Sequence, residues 1–196
     1  ELNQHKTSKK NIKNRINNWK KINPLNYDLI IICTPTKVME KILPFFVGKT
    51  NLLVEKPGTI NLKKMKYYSK LSTVNNKIFK VGYNLRYDDG LNYAKNLLNS
   101  GKIGKIYHLK LTYSNGATLT NSNKVGSLID MGAHSINLIQ WLLDVNNLDI
   151  KYRLSQKNEF MKKQITDNGF VCFIHQKIIC LMHHGFCNWK NKFELE

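Results

Sequence analysis

The chain has 196 residues, a formal net charge of +18 and a 42% hydrophobic share. That length fits one ordinary domain or two small ones, and that apolar content is enough to bury a core, which excludes wholesale disorder. The charge invites a nucleic-acid reading, yet Arg15, Arg86 and Arg153 are the only arginines; guanidinium is the group suited to bidentate phosphate and guanine contacts, so an evenly spread lysine excess reads as a solvated, compositionally biased surface.

The first 26 residues are polar and lysine-rich, with helical spacing through Ile12, Ile16 and Trp19. Tyr27 to Cys33 is a short β-branched run bounded by a turn and Pro35, which predicts a fully buried parallel strand. Val38, Ile42, Leu43 and Phe46 predict a helix that Pro44 should bend or end. Asn51 to Val54 predicts a second strand, stopped by Glu55-Lys56-Pro57. Leu62 to Asn75 predicts a helix with Met65, Tyr68 and Leu71 on one face, and Lys77 to Tyr83 a third strand. Alternation of this kind implies a parallel sheet.

The texture then changes. Asp88 to Ser100 predicts a helix closed by Gly101 in the C′ position. Lys105 to Ser114 alternates as a strand, with Tyr107, Leu109, Leu111 and Tyr113 on one face. Residues 115–126 read as a polar loop and Ser127 to Leu143 as one long amphipathic helix. Strands are expected near 149–155, 169–175 and 178–184, the last two as a hairpin. Asn191 to Glu196 reads as the start of another strand, and no Gly-x-Gly-x-x-Gly occurs anywhere, so the chain is expected to be a fragment of a longer protein.

No apolar stretch approaches the roughly 20 residues that span a bilayer, and no signal peptide opens the sequence. Cys33, Cys172, Cys180 and Cys187 form no CxxC pair. A reduced, cytoplasmic protein is expected.

Three groups of residues carry chemistry. Lys56 follows a buried strand at the end of a parallel sheet, where α/β proteins bind ligands; a lysine there can donate to a ribose or substrate hydroxyl, although a strand-end salt bridge explains it as well. Asp130 and His134 lie four apart on one helix, so the carboxylate can fix the ring and support the imidazolium; such pairs are also common on helix surfaces. Tyr83-Asn84-Leu85-Arg86-Tyr87 places an arginine beside amide and phenol groups at a domain junction, suited to a polar ligand or to simple capping.

In this order the motifs resemble the glucose–fructose oxidoreductase/inositol dehydrogenase (Gfo/Idh/MocA) family. The resemblance rests on Cys33-Thr34-Pro35, Val54-Glu55-Lys56-Pro57, Val81-Gly82-Tyr83-Asn84-x-Arg86-Tyr87, Ser100 to Gly104, and Gly126 to His134 with Asp130 between them. It covers about residues 27–145; Asp167 to Phe170 and Asn188 to Asn191 further resemble members acting on bacterial surface sugars. It implies an α/β protein: an incomplete Rossmann-type parallel sheet (residues 1–83, NAD(P)-binding), followed by an α+β domain with an open, mainly antiparallel sheet (84–196, substrate and oligomerisation). It also implies NAD or NADP as cofactor, a sugar-type or cyclitol substrate, and a homodimer or homotetramer, with no nucleic-acid or membrane partner. Carried over by residue, Lys56, Asp130 and His134 are the catalytic group. Thr34, Pro35, Glu55 and Lys56 line the cofactor, and Asn84, Arg86 and Tyr87 the substrate. Either Lys56 or His134 is the acid/base. Glu1 is a candidate for the adenine ribose, and Met39 stands where relatives often have a histidine.

Cys172, His175, Cys180, His183, His184 and Cys187 crowd together, and Cys172, His175, Cys180 and His183 have zinc-like spacing, but strand residues alternate faces and no knuckle turn gathers them. Buried thiols and edge-strand histidines are expected instead, and no metal. Three functions are weighed: a hydride-transferring oxidoreductase, a non-catalytic binding or assembly relative of the same fold, and a lysine-rich nucleic-acid binder. The Lys56–Asp130–His134 set favours the first, because a fold-only role needs none of the three.

Overall fold

In the structure, a computed structural model, residues 16–117, 125–158 and 165–196 are described. The proposals on Glu1 and on most of the 115–126 loop lie outside them.

Strand β1 (Leu29–Ile32), β2 (Asn51–Glu55) and β3 (Phe79–Gly82) form a parallel sheet in the order β1-β2-β3. Asn51 braces its N-terminal edge: the amide donates to the Asp28 carbonyl at 2.7 Å and accepts from the Ile78 N–H at 2.9 Å. Helices α1 (Thr36–Phe46) and α2 (Leu62–Val74) supply the connections. Met39, Ile42, Leu43 and Phe46 of α1 pack with Tyr68 of α2 on Ile32, Leu52 and Val54.

Two expectations are corrected here. Strand β1 is not buried on both faces: Leu29 and Ile31 are half exposed while Ile32 is buried, because the packed side chains of both helices gather on one face of the sheet. Pro44 does not end α1. Its ring sits on the exposed side near the C-terminus, so it forfeits a single backbone bond while Leu43 and Phe46 keep the last turn packed. Met39, wholly buried, is a core residue.

After a short 3-10 turn at Asn84–Tyr87, helix α3 (Asp89–Asn99) begins where the Asp88 carboxylate accepts the Leu91 N–H at 3.0 Å. It ends at Gly101, whose φ of 68° is the left-handed C′ conformation expected for it. Strands β4 (His108–Ser114), β5 (Asp149–Gln156), β6 (Asn168–His175), β7 (Ile178–Gly185) and β8 (Lys192–Leu195) form a second sheet in the order β5-β6-β7-β4-β8. Only the β4–β7 pair is parallel. Its inner face carries Leu109, Leu111, Val171, Phe173, Cys180 and Met182 against helix α4 (Ala133–Leu142). Its outer face is open, with Tyr152, Leu154, Phe170, Ile179 and Leu181 exposed.

The predicted single helix over Ser127–Leu143 is two segments. Leu128–Gly132 is a π-helical turn and α4 follows it. Such turns widen the helix by a residue and recur where a side chain must be re-aimed. This one carries Asp130.

Gly169 is required by close approach. A Cβ there would lie 2.5 Å from the Leu154 carbonyl and 2.8 Å from the His184 ring. Gly169→Ala is expected to lower stability by about 1–3 kcal/mol, read as a lower denaturant midpoint.

Candidate active site

The first sheet's edge reaches the π-helical turn at Lys56. It directly follows β2, and its Nζ donates to the Asp130 carboxylate and, at 3.1 Å, to the Asp130 backbone carbonyl. Both side chains are about one-fifth exposed, so the pair sits in a partly dried cleft where its attraction is less screened than on the surface.

His134 occupies the first turn of α4 and is only 7% exposed. The Tyr83 and Tyr113 rings meet it edge-on, with centroids 6.1 and 5.7 Å away. Its Nδ1 is buried and makes no hydrogen bond among the described residues. Burial pushes its pKa down to about 4, the Lys56 charge pushes the same way, and Asp130 opposes them without prevailing. The ring is therefore neutral at physiological pH. The expectation that Asp130 would support an imidazolium is corrected: desolvation outweighs it, and the carboxylate is engaged by Lys56.

Thr34 ends the loop after β1, and its buried Oγ1 makes no hydrogen bond among the described residues. Pro35 is exposed at the start of α1. Glu55 is exposed and its carboxylate accepts the Lys56 N–H at 3.2 Å. Thr34 and Lys56 thus follow the C-terminal ends of adjacent parallel strands. That edge fits the nicotinamide end of a dinucleotide, since an unpaired buried hydroxyl is a ready partner for a carboxamide. The 196 residues hold no glycine-rich loop for a pyrophosphate.

Of the three residues expected at a substrate, the structure commits one to the scaffold. Arg86 Nε donates to the Asn137 side chain at 2.7 Å, tying the 3-10 turn to α4, and the Arg86 carbonyl accepts from Asn92 at 3.1 Å. Asn84 and Tyr87 are exposed. Arg86→Ala removes the Asn137 bond and is expected to lower stability by about 1–2 kcal/mol, measured by thermal unfolding.

Composition alone did not point to Ser127, Tyr113 and His184. The strand alternation did put Tyr113 on the inner face. His184 is fully buried on the interior strand β7, which corrects its reading as an edge histidine; its Nδ1 lies 2.8 Å from the Ser127 hydroxyl. Cys180 is buried, with its thiol pushed up to about 11 mainly by burial, whereas Cys172 is half-buried and Cys187 exposed. Among the described residues no group of three His, Cys, Asp or Glu is disposed to hold a metal ion.

The two buried histidines set an acid limit. Both His134 and His184 have folded pKa values of about 4, below the ordinary 6.5. Between those values the unfolded chain binds protons that the folded chain does not. Stability is therefore expected to fall as pH drops from about 6.5 to about 4, by at most about 1.4 kcal/mol per pH unit for each histidine. Urea midpoints measured across that range check the sign, and His184→Asn should flatten the slope.

Comparison with known proteins places this geometry. Scyllo-inositol 2-dehydrogenase (NAD(+)) of Bacillus subtilis is 31% identical over 120 residues, 59% of this chain and 35% of the relative. Myo-inositol 2-dehydrogenase from Lactobacillus plantarum superposes with a TM-score of 0.75 at 23% identity, over 91% of this chain and 56% of that one. Scyllo-inositol dehydrogenase from Lactobacillus casei, solved with NAD(H) and scyllo-inositol, gives 0.71 at 20% identity, over 86% and 54%. The chain thus spans about a third of the curated relative and about half of each solved structure. Residues 91–195 match the GFO/IDH/MocA C-terminal domain. With more than half its length in that match, the chain belongs to the Gfo/Idh/MocA family.

Proposed function

We propose that this chain forms the central part of an NAD(P)-dependent oxidoreductase that oxidises a cyclitol or sugar hydroxyl. The observation that carries the reading is a neutral, buried His134 beside the Lys56–Asp130 pair, at the C-terminal edge of a parallel sheet.

When bound, NAD or NADP would supply the hydride acceptor. Thr34, Pro35 and Glu55 would hold its nicotinamide end, and Lys56 would stand between cofactor and substrate. The Lys56 ammonium donates to the reacting hydroxyl oxygen and holds it in place. Asp130 fixes Lys56 through its carboxylate and its carbonyl. His134 takes the hydroxyl proton as the carbon gives up its hydride, and the C–O bond becomes C=O. A ring already neutral at pH 7 needs no prior deprotonation for that step. Asn84 and Tyr87 offer exposed polar groups to the rest of the substrate, while Arg86 shapes the pocket through Asn137. On this reading residues 1–83 serve the cofactor and 84–196 the substrate. A purely structural relative would have no use for a buried, unpaired imidazole facing a lysine–carboxylate pair.

The open face of the second sheet supports a homo-oligomer, dimer or tetramer, because five large apolar side chains stand exposed on it. Leu154→Lys with Leu181→Lys is expected to shift the chain to monomer in sedimentation equilibrium; an unchanged mass rejects that interface. Among the described residues no helix is long and apolar enough to cross a membrane. A cytoplasmic site of action accords with the free cysteines.

The binding test is calorimetry of this chain extended at its N-terminus by a glycine-rich strand–helix unit of the dinucleotide-binding type. Binding of NAD(H) or NADP(H) is expected. No heat with either would reject the proposal.

A further inference from the structure

Four residues form one row across the second sheet, on its inner face. Gly169 of β6 pairs with His184 of β7, His184 with Tyr113 of β4, and Tyr113 with Phe193 of β8. Each makes a contact that bears on the helix above. The absence of a side chain at Gly169 leaves room for the His184 ring. His184 bonds the Ser127 hydroxyl at 2.8 Å, where both residues are fully buried and the π-helical turn begins. The Tyr113 ring meets His134 edge-on at 5.7 Å, and Phe193 meets the other side of Tyr113 edge-on at 5.6 Å.

We propose that this row is a positioning platform for the acid/base helix, and that Tyr113, backed by Phe193, is the positioning residue that holds the His134 ring in place and dry. The inference rests on the reading of His134 as proton acceptor but is tested without cofactor or substrate. The groups facing His134 are Lys56 from the end of β2, Asp130 from the π-helical turn, Tyr83 from the end of β3 and Tyr113 from β4. Lys56 and Asp130 act on it in opposite directions, so neither alone accounts for a neutral ring. One of the two ring nitrogens, Nδ1, is buried and makes no hydrogen bond among the described residues, and both tyrosine rings pack edge-on against the imidazole that carries it. An edge-on ring also restricts rotation of the imidazole. An aromatic wall of this kind needs the ring face and edge but not the hydroxyl, so phenylalanine should serve at position 113.

The experiment follows the His134 ring signals by NMR as pH is lowered, in the 196-residue chain. Wild type is expected to titrate near 4, and Tyr113→Phe to match it. Tyr113→Ala should raise the midpoint by about one pH unit or more toward the ordinary value, because water then reaches the ring. An unmoved midpoint in Tyr113→Ala would overturn the proposal, as would a Tyr113→Phe shift as large as that of Tyr113→Ala. Should Tyr113→Ala fail to fold, Phe193→Ala replaces it, since that ring is 40% exposed and dispensable to the core. A raised His134 midpoint in Phe193→Ala supports the platform, and an unchanged one rejects it. Failure of the extended chain to bind a nicotinamide cofactor would leave these titrations as they are, so the two readings fail separately.

Discussion

His134→Ala in the extended chain is expected to lower kcat for cyclitol or sugar oxidation by about 10²–10⁴-fold, with a much smaller change in KM. The imidazole is the one buried, neutral base in the cluster, and its Nδ1 has no hydrogen bond among the described residues. Removing it leaves the hydroxyl proton without a positioned acceptor while Lys56, fixed by Asp130, still holds the oxygen. The fold should survive, because His134 contributes ring contacts to Tyr83 and Tyr113 but no hydrogen bond through Nδ1. Steady-state kinetics of the purified variant check the split between kcat and KM. A raised KM with kcat unchanged would assign His134 to binding instead.

Lys56→Ala should cost as much in kcat, about 10²–10⁴-fold, and should also raise KM for the substrate. Two features distinguish it from the histidine variant. The ammonium touches both the carboxylate and the backbone carbonyl of Asp130, so its loss leaves that carboxylate in a partly buried cleft without its cation. It also removes the nearby positive charge that helps depress the His134 pKa. In Lys56→Ala the His134 titration should therefore move upward, which NMR reads directly. A variant with wild-type kinetics and an unmoved histidine would remove Lys56 from the site.

Much of this was legible in the residues. Short β-branched runs separated by helical spacing gave three parallel strands, because an apolar run bounded by turn residues reads as a strand whichever face is covered. The Lys105–Ser114 alternation put Leu109, Leu111 and Tyr113 on one face, as found, although the strand starts at His108 and leaves Tyr107 exposed. Lys56, Asp130 and His134 were readable as a set through their motifs, and the structure brings Lys56 onto Asp130 across 74 residues of sequence. What the pattern did not carry was geometry set by tertiary contacts. The π-helical turn looks like ordinary helix in the sequence, since Ser127 to Leu143 keeps its apolar period. The exposure of Leu29 and Ile31 depends on which face the helices cover, and β-branched composition is blind to that. His184 read as a polar edge residue because histidine is seldom fully buried; a partner at Ser127, 57 positions away, is what makes its burial affordable. Pro44 looked like a helix breaker because local rules ignore how close the helix end lies.

The central claim is that a hydride leaves a substrate C–H for the nicotinamide while its hydroxyl proton goes to His134. It is tested most directly by following deuterium. The extended chain is incubated with NAD or NADP and a cyclitol or sugar deuterated at its ring carbons, and the reduced cofactor is analysed by mass spectrometry. The account predicts one deuterium in the reduced cofactor, formed about 10²–10⁴-fold more slowly by His134→Ala. Reduced cofactor without the label, or none at all from a chain that binds the dinucleotide and the substrate, would contradict it.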